Sequence, residues 1–81
     1  MDEKTEIREF VQNLLTNSGD TQPLLDEDSL LGSGRLQSID AVDIVVFLEE
    51  RFGVDFSTIG FDREQIDSID AIHSFTRRTS R

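Results

Sequence analysis

The sequence predicts an all-α fold: a small bundle of three main helices plus a short helical turn, with a long ordered loop between the first two helices. Three observations predict it. Apolar residues recur at helical spacing in three separate segments. Strand-like alternation is confined to Val54-Asp55-Phe56, too short to make a useful strand. Residues that start and stop helices flank the periodic segments. Without repeats or low-complexity stretches, the 81 residues read as one domain, 1–81, with 76–81 a frayed basic tail.

Residues 3–16 carry Ile7, Phe10, Val11, Leu14 and Leu15 on one helical face. Glu3 and Glu6 suit the positive end of the helix dipole, and Gly19 is a candidate C-cap. Residues 19–37 are irregular, punctuated by Pro23, Gly32 and Gly34, and contain Asp26-Glu27-Asp28, which reads as a solvated acidic run. Leu24, Leu25, Leu30, Leu31 and Leu36 lie in this loop, so it is expected to pack onto a core. Residues 38–52 form the second helix, capped by Ser38, with Asp40 in its first turn and Arg51 in its last; Gly53 ends it. Its inward face is expected to be Ile39, Val42, Val45, Val46 and Phe52, broadened by Ile44, Phe47 and Leu48. Residues 54–61 read as an extended connection anchored by Val54, Phe56, Ile59 and Phe61, and 62–66 as a helical turn. Ile69, Ile72 and Phe75 mark a last helix over 67–77, capped by Asp67 or Ser68.

Composition excludes several functions. With 17 acids, 8 bases and a net charge of -9, the chain is repelled by nucleic acid. No cysteine is present to make a disulfide, a zinc–thiolate site or a thiol nucleophile. The longest unbroken apolar stretch, Ile44 to Leu48, is far too short to enter a membrane, and the polar N-terminus is unlike a secretory signal. A cytoplasmic protein, monomeric in the simplest case, is the expectation. His73 is the only histidine, and no histidine pair, Walker-type loop or calcium-loop spacing is found. Metal sites and stand-alone catalysis are therefore not expected.

The remaining signal is Gly34-Arg35-Leu36-Gln37-Ser38-Ile39-Asp40. A serine follows a glycine-containing loop and opens an apolar helix. Its hydroxyl either caps that helix or is displayed beside unpaired N–H groups and the positive dipole end, where an attached anion is stabilised. Spacing alone does not separate these readings, and the simpler one is a cap.

Residues 26–75 resemble the acyl carrier protein family. The family opens its second helix with Asp-Ser-Leu. Here Gln37-Ser38-Ile39 is followed by Asp40-Ala41-Val42-Asp43-Ile44-Val45-Val46-Phe47-Leu48-Glu49-Glu50-Arg51-Phe52-Gly53-Val54, which matches that helix without a gap. Asp28-Ser29-Leu30-Leu31-Gly32-Ser33-Gly34 is similar to the loop before the serine. Phe61-Asp62-Arg63-Glu64 looks closer to the D-alanyl carrier branch, whereas Val54-Asp55-Phe56 departs from the fatty-acid branch. Gln37 replaces the usual Asp and removes a negative charge beside the serine. Asp67-Ser68-Ile69-Asp70 also matches the tetrapeptide, but only 13 residues follow Ser68, too few for a long second helix.

The resemblance implies a four-helix bundle and a phosphoprotein that carries cargo as a thioester and is not itself an enzyme. Ser38 would bear covalent 4'-phosphopantetheine, derived from coenzyme A. Asp40, Asp43, Glu49 and Glu50 would meet basic patches on partner enzymes, a pairing that mainly speeds encounter. Val46 and Phe47 are either apolar partner contacts or core. Val42, Val45, Leu48, Ile69 and Ile72 would line a cargo pocket. The implied partners are a phosphopantetheinyl transferase, a ligase that activates an acyl group or amino acid, and acyltransferases or synthases of fatty-acid, polyketide or aminoacyl biosynthesis. The competing reading is a non-carrier acidic helical module, or degenerate carrier, that binds a basic protein, with Ser38 only a cap and the four acids an ordinary solvated face.

Overall fold

The structure is a computed structural model that describes residues 2–56 and 62–79. Helix α1 spans Glu3–Asn17, α2 spans Ser38–Phe52 and α3 spans Ile69–Thr79, with a 3-10 turn at Arg63–Ile66. The all-α expectation holds, and no strand occurs among the described residues. These residues contain three α-helices, so the four-helix bundle implied by the resemblance is not what they form. The 3-10 turn is too short to count as a fourth.

Local chemistry accounts for the boundaries. Asp2 caps α1, its carboxylate accepting from the Thr5 N–H at 2.8 Å. The helix ends where Gly19 adopts φ 92°. The Asp20 N–H then reaches back to the Leu15 carbonyl and the Gly19 N–H to that of Thr16, a Schellman closure. Gly53, at φ 71°, ends α2 in the same left-handed conformation. Asp62 precedes the 3-10 turn, and its N–H donates to Gln65 Oε1 at 2.9 Å. Ser68 caps α3, accepting from the Ala71 N–H at 3.0 Å. The last helix runs two residues past its expected end, and Thr76, assigned to the tail by sequence, is fully buried.

One core joins these parts. Ile7, Val11 and Leu15 of α1 meet Ile69, Ile72 and Phe75 of α3, the most extensive helix pairing in the fold. Ile44 and Leu48 of α2, together with Val54 and Ile66, complete it. Leu24, Leu30, Leu31 and Leu36 bring the long loop into the same core, as expected, while Leu25 stays exposed. Val54 is buried and Phe56 lies 5.5 Å from the Phe75 ring, whereas Ile59 and Phe61 fall outside the described residues.

Two expectations are corrected. The inward face of α2 is Ile44 and Leu48, and not Ile39, Val42 and Val46, which are exposed. The helix is apolar over much of its circumference, so periodicity cannot choose the buried stripe. The choice falls to the α1–α3 pair and the leucine loop, which cover one side only. Nor is Asp26-Glu27-Asp28 a solvated run. Asp26 pairs with Arg8 and with Lys4, which also reaches Asp70 at 2.7 Å, while Asp28 accepts from the Leu25 N–H at 2.9 Å.

Candidate functional site

The loop leading to Ser38 is held by two side chains, Asp67 from a distant part of the chain and Arg35 from the loop itself. Asp67, between the 3-10 turn and α3, accepts from the Ser29 hydroxyl at 2.6 Å and from the N–H groups of Leu31 and Gly32 at 2.6 and 2.9 Å. Its backbone carbonyl accepts from the Leu30 N–H at 2.6 Å. Burial acts to raise the Asp67 carboxyl, but hydrogen bonds from Ser29 and the backbone of Gly32, Leu31 and Leu30 outweigh it and hold the group below its ordinary value. A Cβ at Gly32 would stand 2.7 Å from Ser29 Oγ, so a larger residue there would displace the hydroxyl that donates to Asp67.

Arg35 is the second clamp. Its guanidinium donates to Asp20 at 2.9 and 3.3 Å and to the Gln22 and Pro23 carbonyls at 3.1 and 3.2 Å. It also lies 3.4 Å from Asp28. The Arg35 guanidinium, then the Gln22 N–H, lower the Asp20 carboxyl from its ordinary value. The long loop is thus tied down a few positions before the serine.

The start of α2 differs from the sequence expectation. Gln37 occupies the N-cap position, at φ -99° and ψ 172°, and Ser38 is the first helical residue. The Asp40 carboxylate accepts from the Gln37 N–H at 2.8 Å, so Asp40 closes the turn. Ser38 is exposed, and its hydroxyl makes no hydrogen bond among the described residues. By contrast, the hydroxyls of Ser18, Ser29, Ser33 and Ser68 are all engaged. Ser38 is therefore not the cap of α2.

Ser38 borders an apolar cavity of about 250 Å³ whose other walls are Ala41, Val42, Val45 and Arg63. Of the residues expected to form a cargo pocket, Val42 and Val45 line it. Leu48, Ile69 and Ile72 are fully buried in the core and line no opening. Among the expected docking residues, Asp43, Val46, Glu49 and Glu50 are exposed on α2. Asp40 is partly covered by its bond to Gln37. Phe47 is half-buried, stacked on Phe10 at 4.2 Å and edge-on to Phe52 at 5.7 Å, and so serves packing more than display.

Three contributors escape sequence reasoning. Asp67 signals only a possible cap, because its partners lie 35 to 38 positions away. Ile39, given only to the inward face, is 68% exposed and forms with the expected pocket residue Val42 and the expected docking residue Val46 a stripe down α2 from Ser38. Arg63 carries no signal beyond its tetrapeptide and lines the same cavity as the serine. Among the described residues, no group of three or more metal-ligating side chains forms, and no helix is long and apolar enough to cross a membrane. No family model, no curated protein and no solved structure matches this chain.

Proposed function

We propose that the chain is an acyl or aminoacyl carrier protein whose Ser38 bears 4'-phosphopantetheine. The observation that carries this reading is the exposed, unbonded Ser38 hydroxyl in the first turn of α2. A cap would be tied back to the backbone, as Ser68 is; a modified serine must be free to react and to point outward. The residues around it suit the group: helix N–H groups and the Arg63 guanidinium for its phosphate, and an apolar wall for the hydrocarbon beyond that phosphate. When bound, the arm supplies the thiol that the chain lacks, on which an acyl or aminoacyl cargo is held as a thioester.

The chain's own residues present, orient and dock. Asp67 and Arg35 hold the loop, so that Ser38 sits at a constant position. Loading by a transferase forms the phosphorus–oxygen bond to Ser38 Oγ as the bond to the nucleotide half of coenzyme A breaks, and the hydroxyl proton is lost. Asp40, Asp43, Glu49 and Glu50 then steer basic partners, and Ile39, Val42 and Val46 supply apolar contact. Those partners are the transferase, an activating ligase, and the acyltransferases or synthases that take the cargo.

Intact mass after incubation with coenzyme A and a broad-specificity phosphopantetheinyl transferase tests the proposal. One phosphopantetheine unit is expected on the parent chain and on Ser68→Ala, and none on Ser38→Ala. Ser68→Ala gives up an N-cap, a cost of about 1 kcal/mol, so it checks that mild destabilisation does not block loading. Absence of the added mass with several transferases would sink the carrier reading and favour the acidic interaction module.

A further inference from the structure

Arg63 is distinguished from most of the other cations by what it lacks. Lys4, Arg8, Arg35 and Arg51 are each committed to carboxylates. Arg78 lies over the Phe75 ring and donates to the Ser74 carbonyl. Arg63 has no ion pair or hydrogen bond among the described residues, although acids outnumber bases two to one in this chain. It lines the same apolar cavity as Ser38. Gln37, next to the serine, is uncharged.

We propose that Arg63 pairs with the phosphodiester on Ser38, and that Ala41, Val42 and Val45 seat the two methyl groups that lie next to this phosphate in phosphopantetheine. The proposal rests on the carrier reading. Its logic is the order of chemistry along the arm: an anion at Ser38, then a geminal dimethyl group within two bonds of the phosphate ester oxygen. The cavity that Ser38 borders offers both kinds of group, a cation in Arg63 and apolar side chains in Ala41, Val42 and Val45. A cavity of about 250 Å³ accommodates this first portion of the arm and leaves the amide-rich remainder and the thiol outside. Arg63 is then a positioning residue. It lays the arm across α2 towards the 3-10 turn and narrows the volume swept by the thiol, which raises its effective concentration at a partner docked on α2.

Loaded protein, with mass confirmed, is studied by NMR. Nuclear Overhauser contacts are expected between the arm's methyl pair and the methyls of Val42 and Val45, together with shifted amides at Arg63 and Glu64 relative to the unloaded chain. Arg63→Gln is expected to lose both while retaining the added mass, and Arg63→Lys to keep part of each. One molar salt is expected to diminish the amide shifts in the parent, because the screening length falls to about 3 Å. Added mass with no such contacts in the parent, or contacts unchanged in Arg63→Gln, overturns the proposal and leaves the carrier reading standing. Failure to load any mass overturns both.

Discussion

At the residue scale, the most consequential side chain is Asp67, which the sequence marks only as a candidate cap of the last helix. Its carboxylate and carbonyl together gather four donors from residues 29–32. Hydrogen bonds to a charged acceptor are each worth about 1.5–3 kcal/mol, reduced here by solvent access. Asp67→Ala is therefore expected to cost about 2 kcal/mol, seen as a melting temperature lower by roughly 10 °C in a domain of this size. Gly32→Ala is expected to act in the same direction by displacing the Ser29 hydroxyl. Calorimetry measures both, and hydrogen exchange at residues 29–36 separates loop loosening from global unfolding. Unchanged exchange and melting in Asp67→Ala would show that the staple does not order the loop. Ser38 itself is legible through its surrounding pattern, but its place in the helix is not. Whether a serine next to a helix is the cap or the first helical residue depends on one residue of register, and Gln37 takes the cap.

At the element scale, α2 has more apolar surface than the core can cover. Ile44 and Leu48 are buried, while Ile39, Val42 and Val46 are exposed on the same fifteen-residue helix. Ile44→Ala is expected to cost about 2–5 kcal/mol. Val46→Ser is expected to stay within about 0.5 kcal/mol of the parent, as exposed substitutions do. Urea unfolding distinguishes them, and comparable losses at both positions would return Val46 to the core. Under the carrier proposal, Val46→Ser instead weakens engagement by partner enzymes. The ends of the helices are largely legible, because caps and stops are local: Ser68, Gly19 and Gly53 act within a few residues of themselves. The helical face is not, since every side of α2 offers apolar residues to a periodicity argument.

At the scale of the whole molecule, the charge of -9 is unevenly balanced. Lys4 and Arg8 bind Asp26, Arg35 binds Asp20, and Arg51 binds Glu6 at 2.6 Å, so bases are used to tie α1 and the loop into place. Among the described residues, the outward acids Asp43, Glu49 and Glu50 of α2 have no ion pair, and they flank the apolar stripe that starts beside Ser38. Three carboxyls, Asp2, Asp20 and Asp67, lie below their ordinary values. A depressed carboxyl contributes stability that is complete above its unfolded value, about 4, and is lost as pH falls through the folded one. Stability is therefore expected to be level between pH 7 and pH 5 and to fall below about pH 4, with a shallower fall in Asp67→Asn. Urea titrations at pH 7, 5 and 3 measure this. A steady rise in stability down to pH 3 would mean that relief of acidic self-repulsion outweighs the lost hydrogen bonds.

Short-range chemistry, readable in the chain, determined the helix count among the described residues, the approximate helix limits and the leucine-rich loop; Ser38 is singled out only by the resemblance of residues 26–75 to acyl carrier proteins. The helices and the loop each depend on contacts within about a dozen residues, where spacing and residue type suffice. The tertiary structure decided which face of α2 is buried, that Asp67 reaches back to order the loop before Ser38, and that Arg63, unpaired among the described residues, lines the same cavity as that serine. These outcomes depend on where α1 and α3 pack and on pairings between residues far apart in the chain. No local pattern encodes them, because they arise from the shape of the one core that all the elements share.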